Sequence, residues 1–100
     1  MPDRKFIDPA THPLAFFLRA TRLEAGLGLN AVAKAAHISA PYLSDLELGR
    51  RLGIGEAVCE RLARALGVPL KELHQAAVKQ ELIAINARRR VLLDTLKRIA

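Results

Sequence analysis

Apolar positions along the 100-residue chain recur at helical spacing almost throughout. Leu14, Phe17, Leu18 and Thr21 fall on one face of a first helix over 13–25, and Phe16, Ala20 and Leu23 form a second, weaker stripe. A helix with two apolar stripes touches two neighbours. Pro13 suits its first turn and Gly26 its left-handed stop. "NAVAKAA" predicts a short second helix that turns Val32, Ala33 and Ala36 inward. In the third, capped by Ser39 with Pro41 in the first turn, Tyr42, Leu43, Leu46 and Glu47 share a face before Gly49. A fourth helix carries Val58, Leu62, Ala65 and Leu66 and ends at Gly67. From Pro69 onward no breaker interrupts 70–100, which predicts one long helix or two segments.

One further pattern stands apart. Val78, Leu82, Ile85, Arg89, Leu92, Leu96 and Ile99 follow a 4, 3, 4, 3, 4, 3 spacing. That is a heptad stripe over about three repeats, broken only by Arg89. The expected organisation is a flexible arm at 1–12, a domain over 13–75 and a C-terminal helical extension over 76–100. The extension serves dimerisation, by pairing with its twin or with the partner's Phe16/Leu23 stripe, or else folds back on its own domain.

Composition narrows the class. Apolar residues make up 51% of the chain with only 4% aromatic, so the core is aliphatic and the fold all-α. The net charge of +6 points to a polyanionic partner, and two-thirds of it, +4, lies in residues 76–100. A single cysteine, Cys59, excludes an internal disulfide and a cysteine-cluster metal site. With no secretory signal and no run long enough to cross a membrane, a reducing cytoplasm is the expected setting. His12, His37 and His74 are isolated, and no nucleophile constellation or glycine-rich phosphate loop occurs, so neither an enzyme nor a metal or cofactor is expected.

Two short helices joined by "HIS", the second capped by serine, form the helix-turn-helix pattern. The ordered set "LRATRLEAGLGL", "VAKAAHIS", "YLSDLELGRR" and "RLARALGVPLKEL", over residues 13–73, resembles the lambda-repressor-like, XRE-type helix-turn-helix domain of bacterial and phage regulators. That resemblance implies a five-helix domain, here with an additional C-terminal helix. It implies a largely buried ion pair between Arg22 and Glu47. The inward spacing of Glu47 beside Leu43 and Leu46 independently demands a partner.

It also implies that Ala40, Pro41, Tyr42, Ser44 and Asp45 lie toward base edges, with the N-cap Ser39 at the DNA-facing end and Arg50 and Arg51, Asn30 and Lys34 on phosphates. Many relatives carry Gln, Arg or Asn where this chain has Ala40, Pro41 and Asp45. Asp45 would accept from cytosine N4, orient an arginine, or stand as a solvated acid. His37 replaces the usual turn glycine, and Leu29 a usual polar phosphate contact. The implied function is a double-stranded-DNA-binding regulator, a homodimeric repressor of a palindromic operator, cytoplasmic in a bacterium or encoded by a phage and held at the nucleoid when bound. Two alternatives are an antitoxin-type autoregulator whose C-terminal helix binds a protein toxin, and a protein–protein interaction module.

Overall fold

A computed structural model describes residues 7–100, and the part of the expected arm at 1–6 lies outside the described residues. The fold is all-α: helices α1 (Pro13–Glu24), α2 (Leu29–Ala35), α3 (Ala40–Glu47), α4 (Glu56–Leu66) and α5 (Leu70–Ile99), with no strand among the described residues. They pack as a closed ring: α1 against α3 and α5, α2 against α3 and α4, and α4 against α5. Leu14, Leu18, Val32, Leu43, Leu46, Leu62 and Leu73 fill its centre. Aliphatic side chains on five short faces thus exclude water from one core, the main favourable term for so small a fold.

The first four helices end in the same way. After α1, the Gly26 and Leu27 amides donate back to the Leu23 and Arg22 carbonyls. Paired bonds of the same type follow α2 (His37 to Lys34, Ile38 to Ala33), α3 (Gly49 to Leu46, Arg50 to Asp45) and α4 (Gly67 to Arg64, Val68 to Ala63). Each pair satisfies two terminal carbonyls and needs a left-handed residue at the turn. Gly26, Gly49 and Gly67 supply it at φ of 70° to 74°, and His37 supplies it at 58°. The helix-turn-helix bend therefore survives without its glycine, because histidine is among the residues that tolerate this region.

Residues Asp8 to His12, expected to belong to an irregular arm, close a turn in which the Asp8 side chain accepts from the Ala10 amide and the Asp8 carbonyl from the Thr11 and His12 amides. The ring of His12 then lies over Gly49, close enough that a Cβ there would fall 2.7 Å from its Cδ2.

Three expectations about the core shift. On α4 the buried face centres on Cys59, Leu62, Ala63 and Leu66, with Val58 and Ala65 only half-buried beside it. On α1, Leu14, Ala15 and Leu18 are buried, Phe17 and Thr21 are half-buried, and Phe16 and Leu23 are exposed. Of the two readings of the C-terminal segment, the single long helix is the one observed: the extension is the uninterrupted continuation of α5, whose 30 residues span about 45 Å. The inward face of α5 is Leu73, Ala77 and Gln80, not the heptad stripe. Val78, Leu82, Ile85, Leu92, Leu96 and Ile99 are all exposed, the last to 76%. From Arg88 to the end every residue is exposed, so this segment does not fold back on its own domain. No helix among the described residues is long and apolar enough to cross a membrane.

Candidate nucleic-acid interface

Helix α3 has two chemically different sides. Ser39 starts it, its Oγ accepting from the Tyr42 amide at 3.1 Å. Leu43, Leu46 and Glu47 face the core. At 3.6 residues per turn, that burial leaves Pro41, Ser44 and Asp45 on the outward side, with Ala40 and Tyr42 flanking them.

Glu47 is buried and held in a fork by Arg22. Arg22 Nε donates to Oε2 at 2.6 Å and Nη2 to Oε1 at 2.9 Å. The remaining nitrogen, Nη1, donates to the Leu27 carbonyl at 3.0 Å. The hydrogen bond to Glu47 raises the Arg22 pKa above its ordinary value, against the opposing effect of burial. One acid of the helix is thereby neutralised inside the fold, where a planar guanidinium matches both carboxylate oxygens.

The other acid remains at the surface. Asp45 Oδ1 lies 3.4 Å from Arg50 Nη1, with both side chains partly exposed. One residue on, the Arg51 guanidinium sits 4.9 Å from the centroid of the Tyr42 ring. Both arginines that follow α3 therefore lean on side chains of its outward or flanking positions. Asn30 and Lys34 are exposed one turn apart on α2. The structure thus brings Tyr42, Asp45, Arg50 and Arg51 into direct contact in pairs. Ser39, Ala40, Pro41 and Ser44 lie along the same helix.

Three elements of the site were not read from the sequence. Gln80, 3% exposed, accepts from the Ala15 amide through Oε1 at 3.1 Å and donates through Nε2 to the Arg51 carbonyl at 3.2 Å. Arg61 Nε donates to the Ala36 carbonyl at 2.7 Å and braces the bend between α2 and α3. The stacking of Arg51 on Tyr42 is the third. Each joins residues too far apart for local periodicity to reveal. Burial, reinforced by nearby Glu60 and Glu56, pushes the Cys59 thiol up, which opposes nucleophilic use.

Comparisons with known proteins agree with this geometry. A family model described as a helix-turn-helix domain matches residues 13–76. The HTH-type transcriptional regulator DdrOP3 of Deinococcus deserti is 46% identical over 56 residues, which are 56% of this chain and 43% of that protein. The chain therefore spans less than half of that relative's length. Two crystal structures of the clp gene regulator ClgR from Corynebacterium glutamicum are similar at TM-scores of 0.59 and 0.60, with 28% and 27% identity. They cover 72% and 88% of this chain and 92% and 90% of their own.

Proposed function

The chain belongs to this helix-turn-helix domain family, and from that premise we propose that it is a sequence-specific, double-stranded-DNA-binding transcriptional regulator rather than an enzyme. The observation that carries the proposal is the outward side of α3: Pro41, Ser44 and Asp45 free of the core, followed at once by Arg50 and Arg51. A helix of this kind enters the major groove while flanking cations hold the phosphates. Ala40 and Pro41 offer apolar contact to a thymine methyl. Arg50, Arg51, Asn30 and Lys34 supply sequence-independent grip, and the net charge of +6 favours encounter with DNA.

The regulator works as a homodimer on a palindromic operator whose half-sites lie about 34 Å apart. The bare apolar stripe of α5 supports this, because such a surface needs a partner and the stripe keeps a coiled-coil spacing. The extension over 76–100 is then the dimerisation element. Repression requires only occupancy of a site, which this module supplies in the cytoplasm.

A selection for bound duplexes at several salt concentrations tests the reading. An enriched palindrome and a log K that falls linearly with log salt support it; no enrichment and a flat plot refute it. Because α5 is part of the core as far as Gln80, the dimer is tested by combining deletion of residues 88–100 with Val78→Ser, Leu82→Ser and Ile85→Ser, which removes the whole stripe and spares Leu73, Ala77 and Gln80. A shortened chain that remains dimeric by light scattering refutes the assignment, and co-purification of a toxin-like protein on the stripe favours the antitoxin reading.

A further inference from the structure

We propose that Gln80 is a positioning residue of the DNA interface, holding the backbone at Arg51 so that its guanidinium is presented to a phosphate. The proposal rests on the DNA-binding reading above. Gln80 is one of two buried polar or charged residues among those described, and Glu47 is the other. Its carboxamide uses both ends. Oε1 takes the Ala15 amide, one of the first-turn donors of α1 that no carbonyl within the helix can satisfy. Nε2 gives its hydrogen to the Arg51 carbonyl, 29 residues earlier. No buried side-chain polar atom among the described residues is left without a partner, so this bridge is complete as drawn.

The position matters because of what lies on either side. Arg51 lies four residues past the end of α3 and two past Gly49, in a stretch with no helical hydrogen bonds of its own. Its side chain is placed over Tyr42 by stacking alone. The carbonyl bond from Gln80 is therefore the only hydrogen bond among the described residues that ties Arg51 itself to the core. Between the loop and α5 lies a groove lined by Gly49, Arg50, Leu52, Ile83, Ala84 and Ala87. On α5, Gln80 occupies the face opposite Val78 and Leu82, so one helix carries the bare stripe outward and the phosphate-side anchor inward.

Two substitutions separate positioning from mere support. At pH 8, Gln80→Glu keeps an acceptor for the Ala15 amide but removes the donor to Arg51. Gln80→Met keeps shape and helix propensity but removes both. We expect each to weaken binding of the selected duplex about three- to tenfold and to lower the slope of log K against log salt by about one, the signature of one lost phosphate contact. Arg51→Ala should show the same loss, and Gln80→Met, which adds no charge, combined with Arg51→Ala should cost nothing further. Additive losses, an unchanged salt slope, or wild-type binding by Gln80→Glu would overturn the positioning role.

Nitrogen-15 relaxation of residues 50–52 in the free protein, with the folded state checked by thermal melting, gives an arm independent of DNA. Increased motion in Gln80→Glu is expected, and unchanged motion overturns the proposal. If the wild-type chain binds no duplex, the function fails and the role toward phosphate falls with it. The relaxation arm still decides whether Gln80 holds the loop.

Discussion

Helix α3 carries two arginine–carboxylate pairs of identical chemistry and opposite consequence. Arg22 and Glu47, 25 residues apart on different helices, meet in a fork with side chains 13% and 7% exposed. Arg50 and Asp45 meet at one long contact, side chains 60% and 34% exposed, five residues apart. In the first, burial turns each charge into an obligation on the other. In the second, water solvates either partner that is released, so the pair is cheap to open. What decides the role of an acid on this helix is therefore its side of the helix, not its proximity to an arginine.

The sharpest way to break the contrast is Glu47→Ala, which strands Arg22 half inside the fold. It should destabilise by about 3–5 kcal/mol in denaturant unfolding, and a loss under 1 kcal/mol would mean the pair is not buried in solution. Arg22→Lys keeps the charge but cannot make the fork. It should cost roughly 1.5–3 kcal/mol, the range for a lost charge-assisted hydrogen bond. At the outer pair, Asp45→Asn and Arg50→Ala should each change stability by less than about 1 kcal/mol. Arg50→Ala should nevertheless weaken binding to every duplex and reduce the salt slope by about one, while Asp45→Asn shifts preference at one base pair or loosens Arg50. Equal stability losses at the two pairs would erase the distinction.

The smallest effect concerns alkaline pH. Arg22 and Cys59 both have raised folded-state values, so each contributes stability that is complete below its unfolded value and lost as pH rises through the folded one. An arginine ordinarily loses its proton far above the ordinary thiol value of 9.0, so the thiol contribution goes first and the ion pair persists. Melting curves of the wild type and Cys59→Ala should therefore converge as pH climbs past 9.0. Parallel curves would contradict this.

Local pattern made much of this molecule legible. Val32, Ala33 and Ala36, the Ser39 cap, and the glycines closing α1, α3 and α4 were all readable, because each depends on neighbours within one turn. The inward side of Glu47 followed from Leu43 and Leu46. The core face of α5 did not, because the apolar heptad beginning at Val78 is the louder signal, whereas the buried face consists of a leucine, an alanine and a glutamine. Small and polar residues are buried by the approach of other helices, which periodicity within one helix cannot report. The same reason hid Arg61 on the Ala36 carbonyl. On α4, Cys59 was expected in the core and lies there, but Ala63 displaced Val58 and Ala65 because where α2 and α5 press on the helix, not side-chain size, selects the buried stripe.

The unbroken length of α5 gives the molecule a lever. From Gln80 to Ile99 the helix reaches about 29 Å at 1.5 Å per residue. A tilt of about ten degrees where Ala77 and Gln80 meet the core therefore swings its tip by about 5 Å, more than the 3.4 Å rise of one base pair. In a dimer joined along that lever, the seat of α5 acts as a goniometer for two reading heads. Substituting the small residues beneath it, Ala77 or the half-buried Ala84, would shift the tip of α5 while leaving the residues of α3 unchanged.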